Sequence, residues 1–242
     1  MAKGRALAYR RGHDAPTAGK RRDLLELCIG YALILAVIWT PRPWQRPLYW
    51  AATIFLITVL WITFAGWQTM GLRTANFARS IWVAGVALIM SAVAVLIAQR
   101  MHTLLPTGTP AAFLKRYWGY ALWTFAQQIL LQDFFLLRLL RLVRGPAFAA
   151  LTAAAIFSLA HLPNPILTVV TFVWGFAACL LFLHYRNLYP LAIAHAIFGI
   201  TLAITIPAPV IRNMRVGLGY LTYKPRIGHS SGPNTAPTLP VK

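Results

Sequence analysis

Asp14, Asp23, Glu26 and Asp133 are the only carboxylate side chains in 242 residues. Three of them fall at the N-terminal end, so the body of the chain has almost no material for acid–base dyads, acidic metal sites or a salt-bridged surface. Against these four acids stand 23 Lys and Arg, for a formal charge of +19, while 59% of the residues are hydrophobic and 11% charged. A soluble domain of this size carries about 25% charged residues. The expected solvent is therefore a bilayer. A basic balance also raises nucleic acid as a partner, but no basic recognition helix is present and membrane loops collect Lys and Arg anyway, so no nucleic-acid role is expected. Cys28 and Cys179 sit in apolar runs and read as buried thiols, with neither a disulfide framework nor a CxxC metal site available.

A spanning helix needs about 20 mostly apolar residues. Runs at 24–40, 48–67, 80–98, 117–139, 146–162, 164–184 and 188–207 meet or approach that length. The reading is an all-α polytopic membrane helix bundle of about seven transmembrane helices, with an eighth element in the tail as the alternative. Pro41, Pro43, Pro47, Gly145-Pro146 and Pro163-Asn164-Pro165 punctuate the runs, and Trp44, Tyr49, Trp50, Trp67, Tyr117, Trp118, Tyr185 and Tyr189 cluster near their ends as interfacial rings do. Residues 1–23 read as a basic, disordered cytoplasmic arm, 24–207 as the transmembrane domain, and 208–242 as a largely disordered tail. Thirteen Lys and Arg on the side of the arm against five on the opposite side, leaving out the tail, place the N-terminus inside. The expected location is the inner (cytoplasmic) membrane of a bacterium, as an integral protein.

Polar groups at membrane depth are costly and mark function. At 100° per residue, Thr124, Gln128 and Gln132 share one stripe of the fourth span with Gln127 at its edge, whereas Asp133 lies about 140° from Gln128, points elsewhere and reads as a salt bridge or a hydrogen-bonded packing contact. His161 follows Phe157 by one turn, which stacks the two on one face. His195 lies among Ala192, Ala194, Ala196 and Gly199, small residues that let a neighbouring backbone approach. On the wheel alone, the glutamine face reads first as interhelical hydrogen bonding, a common role for Gln and Thr in membranes.

These residues fall into an ordered pattern. Gln127-Gln128-Ile129-Leu130-Leu131-Gln132 precedes Phe157-Ser158-Leu159-Ala160-His161, and His195-Ala196-Ile197-Phe198-Gly199 follows, after Gly175 and Leu188-Tyr189-Pro190-Leu191. Over roughly 117–205 the sequence resembles the CPBP family, also called ABI or CAAX-protease-like intramembrane proteases, whose motifs are EExxxR, FxxxH and a late HxxxN or HxxxD. The second motif is intact. The first stands here as QQxxxQ, and Gly199 replaces the last polar residue of the third. The resemblance implies an intramembrane endopeptidase in which a glutamate activates water and histidines orient it or stabilise the oxyanion. A carboxylate can accept the proton of water, and a carboxamide cannot. Loss of both charges together avoids a buried unpaired Arg.

The leading expectation is thus a CPBP-like intramembrane endopeptidase acting on a membrane-associated peptide or protein. His161, His195, Gln128 and Gln127 are the candidate catalytic residues, supported by Gln132, Phe157 and Thr124. The remaining base would be a histidine, whose pKa suits proton transfer. No cofactor is expected, since two histidines without an aligned carboxylate make a poor catalytic zinc set. The alternative is an inactive relative that binds membrane peptides as a scaffold or immunity-type protein. A transporter is weaker, with no inverted repeat and one acid in the spans.

Overall fold

The computed structural model describes residues 17–224, and the rest of the arm and of the tail lie outside the described residues. Among the described residues all regular structure is helical. The long apolar runs become α1 (Thr17–Trp39), α2 (Gln45–Ile62), α4 (Trp82–Arg100), α5 (Pro110–Ile129), α7 (Pro146–Leu159), α8 (Pro165–Tyr185) and α9 (Tyr189–Thr205). Short helices α3 (Phe77–Ser80), α6 (Leu137–Leu142), α10 (Ala208–Ile211) and α11 (Gly217–Leu221) lie between or after them.

The starts follow local chemistry. Pro110 opens α5 behind Thr109, whose hydroxyl accepts from the Ala112 N–H at 3.3 Å. Pro165 opens α8 behind Asn164, whose side-chain oxygen accepts from the Leu167 N–H at 3.2 Å. Between α5 and α6 the chain widens into a π-helical stretch, Leu130–Leu136. Such wide turns re-aim side chains and recur at functional sites.

Small residues bring α7 and α8 together. Ala149, Ala150, Ala153 and Ala154 are all fully buried, and Gly175 lies so close that a Cβ there would sit 3.5 Å from the Ala154 backbone. In lipid, where apolar side chains gain little by leaving their solvent, such close approach is what holds helices together. The outer surface is as apolar as the interior: Ile54, Ile57, Trp61, Leu88, Ile89, Leu96 and Ile97 are all exposed. An apolar exterior on this scale belongs to a protein whose surroundings are hydrocarbon, and α4 and α8 are each long and apolar enough to cross it.

Three expectations change. Cys28 is exposed on α1 rather than buried, while Cys179 is buried. Helix α1 begins before the expected boundary at 24, because Asp23 and Glu26 are held by arginines from α6: Arg141 donates to Asp23 at 2.6 and 2.7 Å, and Arg138 donates to Glu26 at 2.9 Å. The tail, read as largely disordered, is helical at α10 and α11 and folds back on the turn after α7. There the Asn164 amide donates to the carbonyls of Ile211 and Arg215, and the Gly217 N–H donates to the Leu162 carbonyl at 2.8 Å. At Gly217, with φ +53°, a Cβ would overlap Ile38 of α1, so the strap lies flat only because that residue is glycine.

This strap decides what α7 can present. Fourteen residues rise only roughly 21 Å, short of an approximately 30 Å hydrocarbon core. The turn at 160–165 is tied to residues 211–217 by the hydrogen bonds of Asn164 and Leu162, protein partners of the kind that irregular backbone at membrane depth needs.

Candidate functional site

The polar stripe of α5 faces α9. Gln128 is fully buried, and its amide nitrogen lies 3.1 Å from Nδ1 of His195. Its oxygen accepts from the amide of Gln132 at 3.2 Å. A carboxamide nitrogen can only donate, so Nδ1 of His195 accepts and the ring proton resides on Nε2. The chain Gln132, Gln128, His195 therefore sets one imidazole as a hydrogen-bond donor on its free edge.

His161 is set the opposite way. Its Nδ1 donates to the Phe157 carbonyl at 2.9 Å. A carbonyl can only accept, so Nε2 of the neutral ring keeps its lone pair. One imidazole is built to give a proton and the other to take one.

Phe157 packs against both rings, 5.1 Å from His161 and 6.0 Å from His195 between centroids, edge-on to each. Trp174 of α8 flanks His195 at 6.2 Å. His161, His195, Phe157 and Trp174 line one cavity of about 1280 Å³, together with Gln127 and Tyr120. The walls are otherwise overwhelmingly apolar, from Leu122, Ile156 and Phe198 to residues of α1, α2 and α4.

The candidate residues divide by position. His161, His195, Phe157 and Gln127 reach the cavity. Gln128 and Gln132 stand behind His195, both fully buried, and Gln132 keeps one amide oxygen without a partner among the described residues. Thr124 is buried one turn before Gln128, where its hydroxyl donates to the Ala121 carbonyl at 2.8 Å. Asp133 departs from the expected salt bridge or hydrogen-bonded packing contact. It is buried, both carboxyl oxygens lack a hydrogen-bond partner among the described residues, and it lies outside the cavity. The nearby cation Arg138 donates instead to Glu26, to Thr63 and to the carbonyls of Asp133 and Phe134.

Sequence reasoning missed Tyr120, Trp174 and Asn164. Tyr120 was within reach, since it extends the stripe of Thr124 and Gln128 by one further turn. Asn164 is legible only as a cap, not as the anchor of a strap arriving from residue 211. Among the described residues no third His, Cys, Asp or Glu joins His161 and His195 in a group that could hold a metal ion.

Residues 118–201 match the family model described as Type II CAAX prenyl endopeptidase Rce1-like. The matched stretch is about a third of the chain, runs from α5 to α9 and contains all three motif segments. The CAAX protease-like resemblance carried by those motifs is supported by this match. No curated protein and no solved structure matches the chain.

Proposed function

We propose that this protein is an intramembrane endopeptidase whose water-activating base is His161 rather than a carboxylate. The observation that carries the reading is the opposed setting of two imidazoles on one apolar cavity: Nδ1 of His161 donates to its own helix, and Nδ1 of His195 accepts from Gln128. Nε2 of His161 takes a proton from water as the oxygen attacks the peptide carbonyl carbon. The C=O π pair moves onto oxygen, where Nε2–H of His195 stabilises it. The imidazolium of His161 then returns its proton to the departing amine as the C–N bond breaks, giving a carboxylic acid and an amine. Gln128 touches no reacting atom here. It is a positioning residue acting through His195, while Gln127, on the cavity wall, meets the substrate.

The cavity selects an apolar peptide segment presented from the bilayer, because its walls offer dispersion contacts and few polar partners. That choice agrees with the CAAX-type family match, without specifying a lipid modification. The test is cleavage of a fluorogenic apolar peptide by the purified full chain in phospholipid vesicles. His161→Ala and His195→Ala are each expected to lower kcat at least about 100-fold, the usual contribution of a positioned proton-transfer group. Unchanged cleavage in both variants would overturn the assignment.

One observation favours a binding role instead: the buried Gln128–Gln132 pair is uncharged where the family carries acids and a base. On that second reading the wild-type chain binds the peptide without turnover, and the triple variant Gln127→Glu, Gln128→Glu, Gln132→Arg gains hydrolysis.

A further inference from the structure

Gly199 lies one turn after His195 on the same face of α9, so a side chain there would stand beside the imidazole. Nothing on α9 fills that place. A Cβ built at Gly199 would overlap the Tyr120 hydroxyl, with the ring carbon that bears it at 2.5 Å. The phenol of α5 has entered the space that a residue at 199 would occupy.

The hydroxyl is not there to satisfy the fold. It makes no hydrogen bond to any described residue, whereas the neighbouring hydroxyls of Thr124, Thr201 and Thr205 all bond to carbonyls of their own helices. Tyr120 lines the same cavity as His161 and His195. Positions 195 and 199 carry their Cβ atoms about 6 Å apart. The hydroxyl thus stands one helical turn from the Cβ of His195, and both side chains line the same cavity.

We infer that Tyr120 is a catalytic residue of this site, whose O–H donates to the carbonyl oxygen of the bound peptide and to the oxyanion formed from it, with Gly199 present to admit the ring. This rests on the endopeptidase reading, which it deepens. No atom is transferred to or from the phenol. The C=O π pair moves to oxygen as before, and the hydroxyl strengthens a hydrogen bond already made to that oxygen.

The experiment compares wild type, Tyr120→Phe and Gly199→Ala as full chains in phospholipid vesicles. Two readouts are taken: kcat and KM for the fluorogenic apolar peptide, and affinity for the matching peptide aldehyde relative to its primary alcohol. Tyr120→Phe keeps the ring and loses the donor, so kcat should fall about 100-fold, as for other single oxyanion donors, with KM within about twofold. Its preference for the aldehyde should fall about tenfold. Gly199→Ala should do the same by displacing the hydroxyl, and a thermal midpoint close to wild type in Tyr120→Phe excludes misfolding as the cause.

If wild type cleaves while Tyr120→Phe retains both kcat and the aldehyde preference, the inference is overturned and the endopeptidase reading survives. If wild type fails to cleave but prefers the aldehyde, and Tyr120→Phe loses that preference, the hydroxyl assignment stands and the endopeptidase reading fails. If wild type neither cleaves nor prefers the aldehyde, both fall.

Discussion

Gln128 shows how much one amide can decide. Because its nitrogen faces Nδ1 of His195 and its oxygen is engaged by Gln132, the imidazole is fixed in one tautomer and one orientation. Replacing Gln128 by Leu leaves that nitrogen buried without a donor, at a cost of about 1–3 kcal/mol. On the endopeptidase reading we expect kcat to fall roughly 10- to 100-fold in Gln128→Leu, with KM nearly unchanged and a pH–rate profile altered by release of the tautomer. A merely structural role would leave that profile in place. His161, His195 and the glutamine stripe were legible in the sequence because polar side chains stand out in apolar spans and helical spacing sorts them by face. Tyr120, one turn up the same stripe, and Gly199, in the third motif, were not legible as a contacting pair. A wheel describes one helix, and the entry of a phenol from α5 into the space above a glycine of α9 is a contact between two. The wheel points Asp133 away from the glutamine face, and it does lie off the cavity; what it lacks is the expected partner, because Arg138 is engaged by Glu26, Thr63 and backbone carbonyls.

At the scale of elements, α7 and the returning strap form one device. The helix is shorter than a hydrocarbon core, and the turn that carries His161 follows its last residue. Asn164 pins the strap over it with two side-chain hydrogen bonds while capping α8 with a third. Asn164→Ala removes all three, and we expect a loss of about 2 kcal/mol. Trypsin cleavage at Arg212 and Arg215 should accelerate, as measured on the protein in vesicles; an unchanged rate would mean that the strap is held by other contacts. The second device is the clamp of α1 on α6. Arg138 is 1% exposed and Glu26 is its charged partner, so Glu26→Gln strands a buried cation. Breaking one side of a buried pair costs roughly 3–5 kcal/mol, and a lowered thermal midpoint in detergent would register it. The sequence displayed these few acids and many arginines. Their pairing between residues more than a hundred positions apart had no local signature.

The whole molecule is a bundle of apolar helices whose apolar core encloses one small polar cluster, with its solvent preference written on the outside. Trp61 is 82% exposed on α2, so phospholipids with brominated acyl chains should quench its fluorescence strongly, and Trp61→Phe should remove that component of the quenching. Quenching by aqueous iodide instead would place α2 in water. The number and type of long helices were legible because apolar run length reports them. The folded part of the tail was not, since Ala208–Leu221 is held by Asn164, Leu162 and Ile38 rather than by its own composition. Only this assembled bundle brings His161, in the turn after α7, and His195 of α9 to one cavity with their protons set in opposite senses. Nitrogen-15 NMR of histidine-labelled protein at neutral pH, assigned with His161→Ala and His195→Ala, reads that arrangement directly. We expect His161 to carry its proton on Nδ1 and His195 on Nε2, with Gln128→Glu moving the His195 proton to Nδ1. The same tautomer on both rings, or a His195 signal indifferent to Gln128→Glu, would contradict it.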